Sequence, residues 1–329
     1  MRDYRPAIRP EPELPIRLLA LDIDGTLVNH EFHIADRTVA AIRGAVRLGV
    51  RVSLATGRTP SSAVTYANRI GLTEPIIGHQ GALVRAMPAR REAWDPDSQR
   101  YVGRVGRILH HEPLAAAVVR EALAWCRDRG LDPHMNDRER FIVWDEDPRF
   151  EDYSAFLGPA AVVVPDILAA ADRPMSKVIS SGEPPLPMEL YPLAKAHFAG
   201  RADATLSHPR FLEFVAPGVS KGRAVAWLAH RAGIPMSQVM TIGDAFNDLE
   251  MISDAGHGTA MGTAPAEVRL AARYVAPTVD LDGAAALIEQ LILAPPDVAA
   301  ANMTRLIAEA DGLRAHLRAV GARSQVQPG

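Results

Sequence analysis

Residues Ile16 to Leu21 form a strand candidate, apolar at every position but Arg17 and without a break from Leu18 to Leu21, that stops abruptly at Asp22-Ile23-Asp24-Gly25. A strand that is apolar at every position has no solvent face, so it belongs in a sheet covered on both sides, as parallel sheets are. The next segments agree. Asp36 is placed to cap a helix whose Val39, Ile42 and Val46 keep helical spacing, with Gly49 at its end. Val50 to Ala55 reads as a second strand, a helix starts at the Ser/Pro-rich turn and runs to about Ile70, and Pro75 to Ile77 reads as a third strand. Strand, helix, strand, helix, strand in roughly sixty residues implies an α/β fold with a Rossmann-like doubly wound parallel sheet.

Between about Arg85 and Pro209 the character changes to Arg-rich, Pro-punctuated segments. A helix is expected at Leu114 to Arg129, with strands at Phe141-Val143, Val162-Val164 and Val178-Ser180. From Phe211 the α/β pattern resumes, with a strand near Leu212-Val215, a helix from Ser220, a strand at Val239-Ile242 and a helix from about Asn247. The expected organisation is one discontinuous core, residues 1–84 and 208–329, interrupted by an inserted α+β domain at 85–207. The segment after Pro295-Pro296 has apolar residues at helical spacing from Met303 to Val320, which suits a long amphipathic helix packed on the core.

The 329 residues are 48% hydrophobic and 23% charged with a net charge of -3, which excludes a disordered chain and gives no electrostatic reason to expect nucleic acid or a membrane surface. Cys126 is alone, so neither an intrachain disulfide nor a Cys-based zinc cluster can form. No apolar run approaches the roughly 18 residues of a membrane span, and the first fifteen residues lack the apolar core of a signal peptide. A cytoplasmic location is expected. Lys177, Lys195 and Lys221 are the three lysines; the other 33 of the 36 cationic residues are arginine.

Asp22 and Asp24 stand two apart where the first strand ends, so an extended backbone projects both carboxylates to one side. Carboxylates held close repel unless a cation sits between them, and hard oxygen donors suit Mg2+. A lone pair of this kind is more often a turn or helix-capping device. Here Thr56 follows the second strand, Lys221 opens a helix, and Asp244, Asn247 and Asp248 follow a later strand. A hydroxyl, an ammonium, carboxylates and helix N-termini at one sheet edge make an anion site beside a metal, the arrangement phosphoryl transfer requires.

With those residues in place, the chain resembles the haloacid dehalogenase superfamily, in its Cof-type branch of phosphatases with a large cap. The motifs occur in order: Asp22-Ile23-Asp24-Gly25-Thr26, Ala55-Thr56-Gly57-Arg58, Ser220-Lys221-Gly222 and Gly243-Asp244-Ala245-Phe246-Asn247-Asp248. The resemblance covers about residues 16–85 and 208–290. It implies that Asp22 is the nucleophile, forming an aspartyl-phosphate, and that Asp24 is the general acid and then base. It further implies that Thr56 binds the phosphoryl group, that Lys221 offsets charge, and that Mg2+ is held by Asp22, the Asp24 carbonyl and Asp244. Asn247 and Asp248 would orient the phosphate or act behind the metal, Gly25 and Gly57 would let backbone approach, and Arg58 would contact substrate or cap.

The sequence departs from the family twice, with Gln80 and Thr263 where asparagine is usual. In the inserted segment, His134, Asn136 and Arg138 are candidates to face the site, and the acidic residues 145–147 and 151–152 are candidates for a solvated loop. The expectation is a Mg2+-dependent hydrolase of small phosphomonoesters, with sugar phosphates foremost, working as a monomer or homodimer. A phosphomutase and a non-catalytic phospho-metabolite-binding protein are the alternatives.

Overall fold

A computed structural model describes residues 15–88, 94–95, 100–101, 105–144 and 161–326. The acidic residues 145–147 and 151–152 lie outside the described residues.

The first strand, Leu18–Leu21, is completely buried and sits inside a five-stranded sheet. The order across that sheet is Tyr274–Ala276, His257–Met261, Val239–Gly243, Leu18–Leu21, Arg51–Leu54, and every pairing is parallel. Leu19 and Leu21 face one apolar cluster with the helices Asp36–Arg47 and Pro60–Ile70; Leu18 and Ala20 face another with the helix Lys221–Arg231. Two covered faces explain why the strand is apolar throughout. The chain order runs outward in both directions from Leu18–Leu21, so the carboxyl end of that strand is the sheet's switch point, where α/β proteins build their sites.

Local details differ from expectation in two places. Asp36 does not cap its helix; Ala35 holds the N-cap position and Asp36 lies in the first turn, where its charge meets the helix dipole. Ile76–Gly78 is not a full member of the parallel sheet. It touches the sheet's edge through one parallel bridge, Ala55 to Ile77, and pairs instead with Leu83–Arg85, which in turn pairs with Ile108–His111.

The second sheet has six strands in the order Ala161–Val164, Arg140–Trp144, Asp132–Asp137, Lys177–Ser181, Phe211–Val215, Asp203–His208. Phe211–Val215 belongs to this sheet and not to the parallel one. That strand pairs antiparallel with Lys177–Ser181 and Asp203–His208, so a boundary at 208 would cut through a hairpin. The period-2 pattern gives the reason. Leu212 and Phe214 join Val178, Met135, Trp125 and Phe198 in a separate apolar cluster under the helices Ala116–Arg127 and Leu186–His197. The alternate positions, Lys177, Ile179, Phe211 and Glu213, face the other way, toward the parallel sheet's carboxyl edge.

The helix Pro296–Val326 lies on the core through Ala299, Leu306 and Ala310, all buried, with Met303 and Ile307 packed beside them. Among the described residues no helix is long and apolar enough to cross a membrane.

The loop His79-Gln80-Gly81 is a tight junction between elements. All three residues have positive φ, and a Cβ on Gly81 would collide with the Ser220 carbonyl. Gly81→Ala is therefore expected to destabilise the protein by at least about 1–2 kcal/mol from backbone strain alone. Urea unfolding checks it.

Candidate active site

Lys221 is the first residue of its helix, whose N-cap Ser220 accepts a hydrogen bond from the Arg223 amide. Its side chain is fully buried and its Nζ donates to Asp22 Oδ1 at 2.6 Å and to Asp248 Oδ1 at 2.7 Å. Burial disfavours the ammonium, but the two carboxylates outweigh it and raise its pKa. Asp248 is fixed from behind as well, since its Oδ2 accepts from the Asp244 and Ala245 amides at 2.9 and 3.1 Å. Both of its oxygens are thus occupied. Gly243 lets this happen; a Cβ there would overlap the Asp248 side chain.

Asp244 accepts a hydrogen bond from Thr26 Oγ1 at 3.1 Å and lies against Gly25. Gly25 is required twice, because its φ is +78° and because any Cβ would strike the Asp244 carboxylate. Oxygens of Asp22, Asp244 and Asp248 come within 4.8 Å of one another. Burial, followed by the neighbouring carboxylates, pushes Asp22 well above the usual carboxyl range even against Lys221. Burial and Asp248 likewise push Asp244 up to about 7, and the Asp22 and Asp244 carboxyls are near enough to share a proton. One lysine cannot balance three carboxylates, two of them buried. A divalent cation fits this donor set by charge and by oxygen chemistry.

Asp24 lines the same cleft as Asp22, and its carboxylate stands outside the cluster of Asp22, Asp244 and Asp248. Its side chain is 41% exposed and turns to Arg58, which donates to it from Nε at 2.7 Å and from Nη2. Arg58 is itself buried and lies between the Phe32 and Tyr66 rings, at 5.3 and 5.5 Å from their centroids. Thr56 is buried, and its Oγ1 accepts from the Arg58 amide at 3.1 Å. It does not cap the following helix, a task taken by Thr59. Its hydroxyl proton is left to donate into the cleft.

A cleft open to solvent brings together Asp22, Asp24, Thr56, Gly57, Arg58, Asp244 and Asn247. Its opposite wall belongs to the six-stranded sheet: Lys177, Ile179, Ser207, His208, Phe211 and Glu213. These were missed in the sequence. His134 and Asn136 are buried outside the cleft lining, and Arg138 lies with Arg85 and Arg173 in a different pocket. Of the two departures, Thr263 is exposed and outside the cleft lining, whereas Gln80 is buried at the junction of both walls.

Gln80 connects those walls. Its Nε2 donates to Glu213 Oε1 at 2.8 Å and its Oε1 accepts from Asn247 Nδ2 at 2.9 Å. Glu213 also accepts from Ser207 Oγ and, through Oε2, from Lys177 Nζ at 2.5 Å; Lys177 donates in addition to the Gly57 carbonyl at 2.8 Å. Gly57 must lack a side chain because Gln80 Nε2 would lie 2.5 Å from its Cβ. Asparagine tolerates Gln80's left-handed backbone (φ 60°) better than glutamine does, but its side chain is one methylene shorter.

The model of one protein family, described as haloacid dehalogenase-like hydrolase, matches residues 19–98 and 100–288. The chain belongs to that family. Relatives include a phosphatase of Bacillus subtilis, YwpJ, 26% identical over 84% of this chain and 100% of its own length. Another is the HMP-PP phosphatase of Serratia proteamaculans, 29% identical over 75% of this chain and 84% of its own. A solved haloacid dehalogenase-like hydrolase from Bacteroides thetaiotaomicron is 28% identical with a TM-score of 0.67, covering 83% of this chain and 98% of that one.

The raised carboxyls give a pH signature. A carboxyl whose folded pKa lies above its unfolded value binds more protons when folded, so stability falls as pH rises through that interval. In EDTA, the unfolding midpoint is expected to drop as pH rises from about 4 to about 7, the window set by the ordinary Asp value of 3.8 and the value of about 7 for Asp244. Thermal unfolding across that range checks it; a midpoint that rises throughout would contradict this charge balance.

Proposed function

We propose that this chain, a phosphatase by family and by site, hydrolyses small phosphomonoesters in a Mg2+-dependent reaction through an aspartyl-phosphate on Asp22. The observation that carries the reading is the Asp22–Lys221–Asp248 arrangement at the sheet's switch point, with Asp244 close by and Thr56 in the same cleft.

In this reading an Asp22 carboxylate oxygen attacks phosphorus, the ester P–O bond breaks, and Asp24 gives a proton to the departing alkoxide. Asp24 then takes a proton from water, whose oxygen attacks the same phosphorus and returns the Asp22 carboxylate with release of inorganic phosphate. Asp22 and Asp244 would hold the cation with the Asp24 carbonyl. When bound, the cation neutralises charge on the carboxylates and on the phosphoryl oxygens. Asp248, with both oxygens occupied, anchors Lys221 and the Asp244 loop. Thr56 donates to a phosphoryl oxygen, Lys221 balances charge, and Asn247 orients the phosphate side. Arg58 fixes Asp24 at the mouth of the cleft, and Gly25 and Gly57 allow the backbone to approach.

The six-stranded sheet acts as the cap. We place its boundary after Val215, so that the hairpin of Asp203–His208 and Phe211–Val215 closes over the core with residues 85–207. A cap that excludes water favours transfer to Asp22 over leakage.

Phosphate release from a panel of phosphomonoesters with Mg2+ is the test. Release is expected to vanish in EDTA and to fall at least about a thousandfold in Asp22→Asn, a nearly isosteric change that removes the nucleophile. Undiminished release by Asp22→Asn would refute the covalent route.

A further inference from the structure

Where the turn of a cap hairpin meets the core, there is a second pocket, separate from the catalytic cleft. It is lined by Arg85, Asp137, Arg138, Glu139, Arg140 and Arg173. Three chain segments supply it: the hairpin of Asp132–Asp137 and Arg140–Trp144, the end of the strand Leu83–Arg85, and the stretch leading to Met175, which bridges to Leu114. Four guanidiniums against two carboxylates leave two positive charges in this space.

The carboxylates are already occupied. Asp137 accepts from Arg138 Nε at 3.2 Å and from Arg173 Nη2 at 3.3 Å. Glu139 accepts from Arg85 Nη1 and from the Ser61 amide, both at 2.8 Å. The guanidiniums are far from used up, since each carries five N–H donors in a rigid fork. Among the described residues Arg138 keeps both terminal nitrogens, and Arg173 Nη1 has only the exposed Asp172, at 4.0 Å. Arg140, exposed at the rim, makes no hydrogen bond or ion pair with any described residue. A cluster that served only to hold the hairpin in place would spend these donors.

We propose that this pocket is a second anion site, which binds a phosphate group, free or carried on a small metabolite, outside the catalytic cleft. A phosphate near a charge of about -2 at neutral pH matches the pocket's excess. Its tetrahedral oxygens can meet guanidiniums arriving from three segments, whereas a planar carboxylate suits one fork. The same turn grips the core. His79 Nε2 donates to the Arg138 carbonyl, and the Arg138 amide donates to Ser176 Oγ at 2.9 Å. His79 and Ser176 immediately precede Gln80 and Lys177, the residues that tie cap to core. A bound phosphate relieves repulsion among the guanidiniums at that turn and so steadies the cap. The site stands apart from the phosphatase reading above.

Calorimetric titration in EDTA isolates it, because without a cation the catalytic carboxylates repel an anion. Inorganic phosphate and glycerol 3-phosphate are the probes, with ionic strength held constant by chloride. The wild-type protein is expected to bind one equivalent saturably. Arg140→Gln is expected to weaken that binding at least fivefold, and Arg140→Gln with Arg173→Gln further. Arg140 holds nothing in place, so Arg140→Gln should unfold at the wild-type urea midpoint when no phosphate is present. Arg47→Gln, the same loss of charge at the exposed end of the helix Asp36–Arg47, should bind as the wild type does. Tighter binding of glycerol 3-phosphate supports the site with a metabolite as its ligand; tighter binding of inorganic phosphate supports it with the free ion. Absence of saturable binding in EDTA overturns the proposal, as does binding that both pocket variants leave unchanged or that Arg47→Gln weakens equally. These titrations involve no turnover, so failure of the phosphatase reading would leave them as they are.

Discussion

The buried ammonium of Lys221 is the interaction on which the rest of this site depends. It joins the end of the first strand, through Asp22, to the loop after Val239–Gly243, through Asp248, and it sits at the start of a helix packed against both. Removing one partner of such a buried pair costs about 3–5 kcal/mol, because the other charge is stranded. Yet one cation among three carboxylates, two of them buried, leaves the site short of positive charge. A divalent cation held by these carboxylates would supply the missing charge.

Around that centre the protein uses backbone where another would use side chains. Gly25 lets Asp244 close in, Gly243 admits Asp248, Gly57 admits Gln80, and Gly81 admits Ser220. Four loops from distant parts of the chain thereby reach the same small volume. The polar chain from Asn247 through Gln80 and Glu213 to Lys177 and Gly57 then ties those loops to the cap sheet.

The parallel core was legible because its signals are local. A two-sided apolar strand, a following turn with carboxylates and helices of regular period need no knowledge of distant residues. The motif residues Asp22, Thr56, Gly57, Lys221, Asp244 and Asn247 do gather at one edge. What could not be read was pairing. Leu212 to Val215 looks the same whether its partner is a parallel or an antiparallel strand, and only the hairpin with Asp203–His208 decides. Nor does the sequence disclose that Arg58 pairs with Asp24 beside Asp22. Lys177 and Glu213 did carry a faint signal, a rare lysine and an acid inside an apolar strand, but neither discloses its partner.

The strand Phe211–Val215 divides two demands along a single stretch of chain. Leu212 and Phe214 answer to the cap's own packing, while Phe211 and Glu213 answer to whatever enters the cleft. Six residues after Val215 comes Lys221, which answers to the chemistry. Such a layout lets ligand preference drift by substitutions at alternate positions while the fold and the reaction stay under separate selection. The same layout marks where a designer would redirect the enzyme without rebuilding its cap.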